Sequence, residues 1–370
     1  MPNDTEHRVA TVMITTGGTG GHIFPGLAVA DELARRGASV FWLGTNDGME
    51  SRLVPRHGVD FEGLAFGSVR GKGAKRLLLG PYAIMNACRQ AFGVLGRRAP
   101  GVVLGFGGFA SFPGALMAVA RNLPLVVHNL DARPGLANRV LRHGADRVLT
   151  GFPGVLGEGR DPRVEWVGNP LRAEIEAAAP PEQRFAGRTG PLRVLVVGGS
   201  QGARQLNEGM LDALGQLDAS RLEIFHQTGA ADRERVAAGY ARAGFRAEVV
   251  DFEPALPARY AWADFGLCRA GALTVAELAL AGLPSLLVPY PYAADDHQRA
   301  NARALADRGA ARVLDPSGFD GKRLADAIAA LIDAPDTLRA MADAARSLAR
   351  PGAAADIVDA TRRLVEGAPA

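Results

Sequence analysis

Apolar residues along this chain gather into short runs of strand length, separated by longer segments in which they recur every three or four positions. The first half carries RVATVMI, SVFWLG, GVVLGF, PLVVH and DRVLT; the second carries LRVLVVGG, RLEIFHQT, AEVVDF, DFGLC and PSLLVP. Amphipathic stretches such as PGLAVADELARRG and LTVAELALAG lie between them. Runs rich in Val and Leu on both faces belong to strands covered on both sides, and the helices supply the crossovers of a parallel sheet. The pattern predicts an α/β chain of two Rossmann-like, doubly wound domains. VMITTGGTGGH near the start and VLVVGGSQGAR at 194–204 form a weak internal repeat, each running from strand through glycine-rich turn to helix. The boundary is expected after WVGNPLR (166–172), giving domains over 1–172 and 173–349. A last helix, within 350–370, is expected to pack back on the first domain.

A length of 370 residues fits two cores better than one. With 48% hydrophobic and 22% charged residues the chain is a folded protein rather than a disordered one. The net charge is only +3, with three lysines, which argues against a dedicated nucleic-acid binder. Cys88 and Cys268 stand in no CxxC pair, fitting a reducing compartment. MPNDTEHR lacks the build of a signal peptide, and no apolar run approaches 18 residues. The chain reads as cytosolic.

A glycine turn between strand and helix offers backbone N–H groups and the positive helix end to an anion. ITTGGTGGHIFPG (14–26) is such a turn, but it is no P-loop, since no GK in the chain precedes Ser or Thr. It is no dinucleotide fingerprint either: counting from Gly18, position 23 is Ile, and no acidic residue closes SVFWLG. In the second half, Gly198-Gly199-Ser200-Gln201-Gly202 matches the GxSxG nucleophile elbow, with His226 or His297 as base and Asp251 or Asp264 behind it. Ser200 could instead cap its helix, or bind a diphosphate together with its neighbouring N–H groups. In CRAGALTVAELALAGLPSLLVP (268–289), Glu277 either closes a capping box with Thr274 or accepts hydrogen bonds from a ribose diol. Asp295, Asp296, His297 and Gln298 stand in a loop after a strand, where open α/β sheets bind ligands, though a polar loop capping its helix reads the same. No carboxylate or histidine cluster asks for a catalytic metal, and no cofactor is expected.

Together, TGGTGGHIFPGLAVA, GFGGF, VGNPLR, VLVVGGSQGAR and CRAGALTVAELALAGLPSLLVP resemble, in order and over nearly the whole chain, the MurG family. These are UDP-N-acetylglucosamine:undecaprenyl-pyrophosphoryl-MurNAc-pentapeptide transferases, which complete lipid II for peptidoglycan. The resemblance implies a GT-B fold, two Rossmann-like domains facing a cleft. It implies inverting transfer of GlcNAc from UDP-GlcNAc to the MurNAc 4-hydroxyl of lipid I, at the cytoplasmic side of the bacterial inner membrane. Carried over by motif, Ser200 and its turn hold the diphosphate, with Arg172 assisting. Ala272, Leu273, Thr274, Val275, Ala276 and Glu277 line the nucleotide, Glu277 on the ribose, with the uracil near Phe252 and Glu253. Gln298 binds GlcNAc hydroxyls, and Thr19, Gly20 and Gly21 border donor sugar and acceptor. His22 is the candidate general base, its ordinary pKa of about 6.5 suiting proton uptake; it could also simply bond its own loop. Nearby alternatives are another UDP-sugar transferase, a UDP-GlcNAc epimerase, or an inactive sugar-nucleotide binder.

The chain departs from the family pattern in two places. HNLD stands where HEQN is usual, placing Asp131 at the asparagine ligand and Asn129 two residues away as a substitute amide. GFGGF ends in Phe109 where Tyr is common. A basic and apolar stretch, Arg70, Lys72, Lys75 and Arg76 beside Leu77–Leu79 and Tyr82, suits peripheral contact with an anionic leaflet. Contacts with other cell-wall synthesis proteins are a further implication.

Overall fold

The computed structural model describes residues 11–67, 74–171, 173–176, 184–185, 188–199 and 203–366, with the side chains of 74–79, 173, 176 and 294 outside that description. Ser200, Arg172, Arg70 and Lys72 therefore lie outside the described residues, as do the side chains of Lys75, Arg76 and Leu77–Leu79.

The chain divides into two compact units, 1–171 with 352–370, and 172–351. The first holds strands β1 (Val12–Thr15), β2 (Val40–Thr45), β3 (Asp60–Leu64), β4 (Val102–Gly105), β5 (Leu125–Asn129), β6 (Arg147–Thr150) and β7 (Val164–Trp166). They form one sheet in the order β3-β2-β1-β4-β5-β6-β7, every described pair parallel. The second holds β8 (Leu192–Val197), β9 (Leu222–Gln227), β10 (Arg246–Val250), β11 (Phe265–Cys268), β12 (Ser285–Leu287) and β13 (Ala311–Val313). Its sheet runs β10-β9-β8-β11-β12-β13, again parallel. Both are Rossmann orders, which reverse direction beside the first strand of each unit.

Apolar residues on both faces of the strands make the cores. In the first unit Val12, Ile14, Leu104 and Val126 pack with Ile23 and Leu27 of the helix Gly20–Arg35, and with Trp42. The helix Ala353–Glu366 adds Ile357, Val358 and Ala360 to that core, and its Asp359 pairs with Arg36. In the second unit Val194, Val196, Ile224, Phe265, Leu267 and Leu286 pack against Leu206, Met210, Leu324 and Ile328. Each order leaves its switch point between two strands, β1 and β4 in one unit and β8 and β11 in the other. Ligands of such sheets bind beyond the carboxyl ends of those strands.

Candidate active site

In the first unit the switch point carries two glycine loops packed on each other. Thr16 follows β1; its carbonyl accepts from Trp42 Nε1 at 3.0 Å, and its hydroxyl donates to the Gly107 carbonyl at 3.1 Å. Gly18 has φ +101°, and Gly107 and Gly108, after β4, have φ +78° and +77°, a region that favours glycine. A Cβ on Gly108 would stand 2.8 Å from the Gly17 carbonyl oxygen and 3.7 Å from His22 Cδ2, so the imidazole lies against this loop. Thr19 is the N-cap of the helix Gly20–Arg35 but makes no side-chain cap bond. Its hydroxyl lies 3.2 Å from His22 Nδ1, and its carbonyl accepts from His22 N–H at 3.0 Å. Thr19, Gly20, Gly21 and His22 thus form one uncapped helix start, with Gly21 exposed and His22 half-buried.

The loop after β5 carries the sequence departure HNLD. Asn129 is buried; its amide donates to the Asp131 carbonyl at 2.6 Å and its Oδ1 accepts from Asn138 Nδ2 at 3.2 Å. One hydrogen of its amide is therefore engaged inside the loop. The Asp131 side chain is half-buried. His128 bonds the Gly168 carbonyl through Nε2 at 2.9 Å, and burial pushes its pKa down to about 4, so it stays neutral. Phe109 packs its ring over Gly18 and lies 5.8 Å from the Phe66 ring, a hydrophobic use of the position.

In the second unit a cavity of about 570 Å³ opens at the switch point. Gly198 and Gly199 just after β8, Arg269 and Gly271 just after β11, and Tyr290, Tyr292 and Gln298 line it. Two helix starts reach it, Arg204–Ala213 through Ala203 and Arg204, and Ala272–Ala281 through Gly271 and Thr274. Neither has a side-chain cap. Backbone N–H groups of the first turns and the positive helix ends thus face a space of nucleotide size. Ala272, Leu273, Thr274, Val275, Ala276 and Glu277 all fall on the first turns of the second helix. The Val275 side chain is buried in the core, while Leu273, Thr274, Ala276 and Glu277 are half-buried.

That helix begins one residue after Gly271, which places Thr274 in its first turn rather than at the cap. The capping box is not formed. Glu277 Oε2 instead accepts from the hydroxyl of the fully buried Tyr260 at 2.8 Å. Gln298 Oε1 accepts from the backbone N–H groups of Tyr290 at 2.9 Å and Ala270 at 3.3 Å. This fixes the amide so that Nε2 is the atom left to donate into the cavity. Asp295 and Asp296 are exposed, both at φ +53°, and His297 starts the helix His297–Ala306. In the stretch expected near the uracil, Phe252 is exposed, whereas the Glu253 carboxylate is held by Arg259 Nε at 2.9 Å.

Two of the partners weighed for the hydrolase reading, His226 and Asp264, are closed off inside the core. His226 is fully buried, Nδ1 on Tyr240 Oη at 2.9 Å and Nε2 on Asn207 Oδ1 at 3.0 Å, and burial pushes its pKa down to about 3. Asp264 is buried too, accepting from Arg188 Nη2 at 2.9 Å and the Arg193 N–H at 2.8 Å. Asp251 accepts from the N–H of Phe252 at 2.9 Å.

Two residues of this site were passed over in the sequence. Arg269 directs Nη1 to the carbonyls of Val288 at 3.1 Å and Pro289 at 3.3 Å and to Gln205 Oε1 at 3.1 Å; burial lowers its pKa. A charged residue directly after the buried strand FGLC was the available signal. Tyr260 gave none, since only the fold brings it to Glu277.

Residues 12–150 match the glycosyltransferase family 28 N-terminal domain, and 193–357 match the C-terminal domain of the same family. A UDP-N-acetylglucosamine--N-acetylmuramyl-(pentapeptide) pyrophosphoryl-undecaprenol N-acetylglucosamine transferase from Aromatoleum aromaticum is 51% identical over 96% of this chain and 98% of that protein. Its namesake from Thiobacillus denitrificans is 48% identical, over 96% and 98%. The crystal structure of Acinetobacter baumannii MurG superposes with a TM-score of 0.86 at 36% identity, covering 96% of this chain and 99% of that one. Calicheamicin glycosyltransferase CalG4, at 19% identity and a TM-score of 0.68, shares the fold alone. Two family domains in order, on two parallel Rossmann-like sheets of GT-B type, place the chain in glycosyltransferase family 28 and, within it, in the MurG family.

Proposed function

We propose that the protein transfers N-acetylglucosamine from UDP-GlcNAc to the 4-hydroxyl of the MurNAc unit of undecaprenyl-pyrophosphoryl-MurNAc-pentapeptide, with inversion at the anomeric carbon. Identity of 51% along nearly the whole chain carries this assignment. The second unit takes the donor. Its turn at Gly198–Ala203, with Ser200, receives the diphosphate, and Arg172 assists. Glu277 accepts from the ribose hydroxyls, and the Nε2 amide of Gln298 donates to hydroxyls of the sugar. Uncapped helix starts stabilise the charge that gathers on the leaving diphosphate, usually the largest electrostatic contribution to such a reaction.

The first unit takes the acceptor. Thr19, Gly20 and Gly21 let sugar and diphosphate approach the backbone, with Asp131 on the acceptor side. His22 removes the proton of the attacking hydroxyl. Its ring is placed against Thr19 Oγ1 through Nδ1, and a neutral imidazole carries the lone pair this step needs. Such a base typically contributes ~10²–10⁴-fold. Among the described residues no helix is long and apolar enough to cross a membrane. A lipid-linked acceptor then calls for peripheral contact with the inner leaflet, and Tyr82 and Met85, each 65% exposed on the helix Ala74–Arg98, are suited to it.

Incubation with radiolabelled UDP-GlcNAc and a short-chain lipid I analogue tests the assignment. A β1→4 disaccharide product is expected. Donor binding without that product would refute transfer, and epimerised donor without acceptor would replace it.

A further inference from the structure

Glu50 opens the helix Glu50–Arg56, where an acidic residue is ordinarily explained by the helix dipole. Its carboxyl group is engaged elsewhere. Glu50 is fully buried, and its Oε2 accepts from the Gly18 N–H at 3.1 Å. Oε1 accepts from the Thr45 N–H at 3.0 Å and the Thr45 hydroxyl at 2.6 Å. Burying a carboxyl group is costly unless donors surround it, and three are supplied here. The room comes from glycines in separate loops. A Cβ on Gly17 or on Gly48 would stand 2.2 Å from Oε1, and one on Gly44 would stand 2.6 Å from Cγ.

The bond to Gly18 has a direct consequence for the helix start. Gly18, at φ +101°, is joined to Thr19, whose carbonyl receives the N–H groups of His22 and Ile23 at 3.0 and 3.2 Å. The Thr19 hydroxyl meets His22 Nδ1. The Gly18 peptide sets where Thr19 begins, and Thr19 sets both the backbone and the ring of His22. We propose that Glu50 is a positioning residue for the transfer: anchored on Thr45 at the end of β2 and holding the Gly18 N–H, it aims the Thr19–His22 pair at the acceptor hydroxyl. The inference rests on the reading that His22 takes that proton.

Glu50→Gln tests it with almost no change of shape. The amide nitrogen cannot accept; with its oxygen kept on the two Thr45 donors, the bond to Gly18 is lost. A base displaced by ~1 Å can cost on the order of 10²-fold, so kcat should fall roughly 10- to 100-fold. The calorimetric Kd for UDP-GlcNAc should stay within about 2-fold, because the donor cavity belongs to the other unit. In a His22→Ala background the same substitution should cost less than about 3-fold, since its effect passes through His22. Gly48→Ala leaves Glu50 itself intact but drives a methyl into its carboxyl group, and should lower kcat similarly. It carries the test should Glu50→Gln fail to fold. Nitrogen-detected NMR of the His22 ring should show an altered tautomer balance in both variants. Parental kcat, full multiplication of the loss in the His22→Ala background, or an unchanged His22 spectrum would each overturn the proposal. If the parent enzyme itself transfers no sugar, the functional assignment fails, and the imidazole spectrum still decides the role of Glu50.

Discussion

The bond from Tyr260 to Glu277 permits a test of the donor site that leaves the reacting groups untouched. Tyr260→Phe deletes one hydroxyl from a fully buried ring, so the surrounding packing is preserved. Glu277 Oε2 loses its donor at 2.8 Å, and the carboxylate is freer to rotate about its stem. If Glu277 accepts from both ribose hydroxyls, misorientation loses one of those bonds. A hydrogen bond contributes about 0.5–1.5 kcal/mol net, so UDP affinity should fall about 2- to 13-fold. Glu277→Ala removes both acceptors and should cost about 10- to 100-fold. Stability should also fall in Tyr260→Phe, by about 0.5–1.5 kcal/mol, because the Tyr260–Glu277 bond is lost. Titration calorimetry with UDP and with UDP-GlcNAc, beside thermal melts, separates the two effects. Kinetically, KM for the donor should rise while kcat stays near parental, since the ribose lies away from the breaking bond. A lower melting temperature with unchanged UDP affinity would refute the reasoning and return Glu277 to a purely structural role.

His22→Ala should lower kcat by ~10²–10⁴-fold with UDP-GlcNAc affinity preserved, and unchanged turnover would remove it as base. Gly108→Ala places a methyl 2.8 Å from the Gly17 carbonyl at φ +77°, so transfer should fall by more than about 10-fold, with donor binding intact by calorimetry. The folded protein should also weaken in acid. His128 and His226, one in each unit, have pKa values held down to about 4 and about 3 by burial, while the unfolded chain protonates near ~6.5. Their stability contribution is complete above the unfolded value and declines as pH falls from there toward the folded values. At pH 5 each has lost about 2 kcal/mol, so melts at pH 7.5 and 5.0 should show a clear drop, and a flat profile would contradict the assignment of both as buried neutral groups.

The two sheets were legible because buried parallel strands advertise themselves as Val- and Leu-rich runs between amphipathic helices. The same property hides individual roles within them. In RLEIFHQT, Leu222, Ile224 and His226 share one face, yet Phe225 and Gln227 on the other are buried as well. Alternation therefore could not say whether His226 was available as a base, and the answer came only from Tyr240 and Asn207 closing on its two nitrogens. Thr274 and Glu277 misled in the opposite way. The capping-box spacing was present, but Gly271, with extended backbone angles, starts the helix three residues earlier.

Glu50 shows why part of a site is invisible in a motif. The glycines of TGGTGG read naturally as places where a ligand approaches the backbone, and each was weighed only against an external partner. Gly17 makes room for Glu50, 33 positions further along the chain, and Gly48 makes room for the same group from the other side. Removing a Cβ from both positions is physically equivalent to reserving a volume, and that volume is filled by a carboxyl group rather than by substrate. In the first loop the Gly18 N–H is held by the Glu50 carboxyl group from within the fold. In the proposed function, ligand approach falls to Thr19, Gly20 and Gly21, where the helix begins without a side-chain cap. A glycine-rich signature therefore mixes two kinds of demand, an internal packing demand at Gly17 and Gly18 and an external one from Thr19 onward. Substitutions should divide at that boundary: Gly17→Ala should lower the melting temperature and kcat together, whereas Gly21→Ala, whose methyl meets nothing nearer than 3.7 Å, should alter transfer while leaving the melting temperature within about 2 °C.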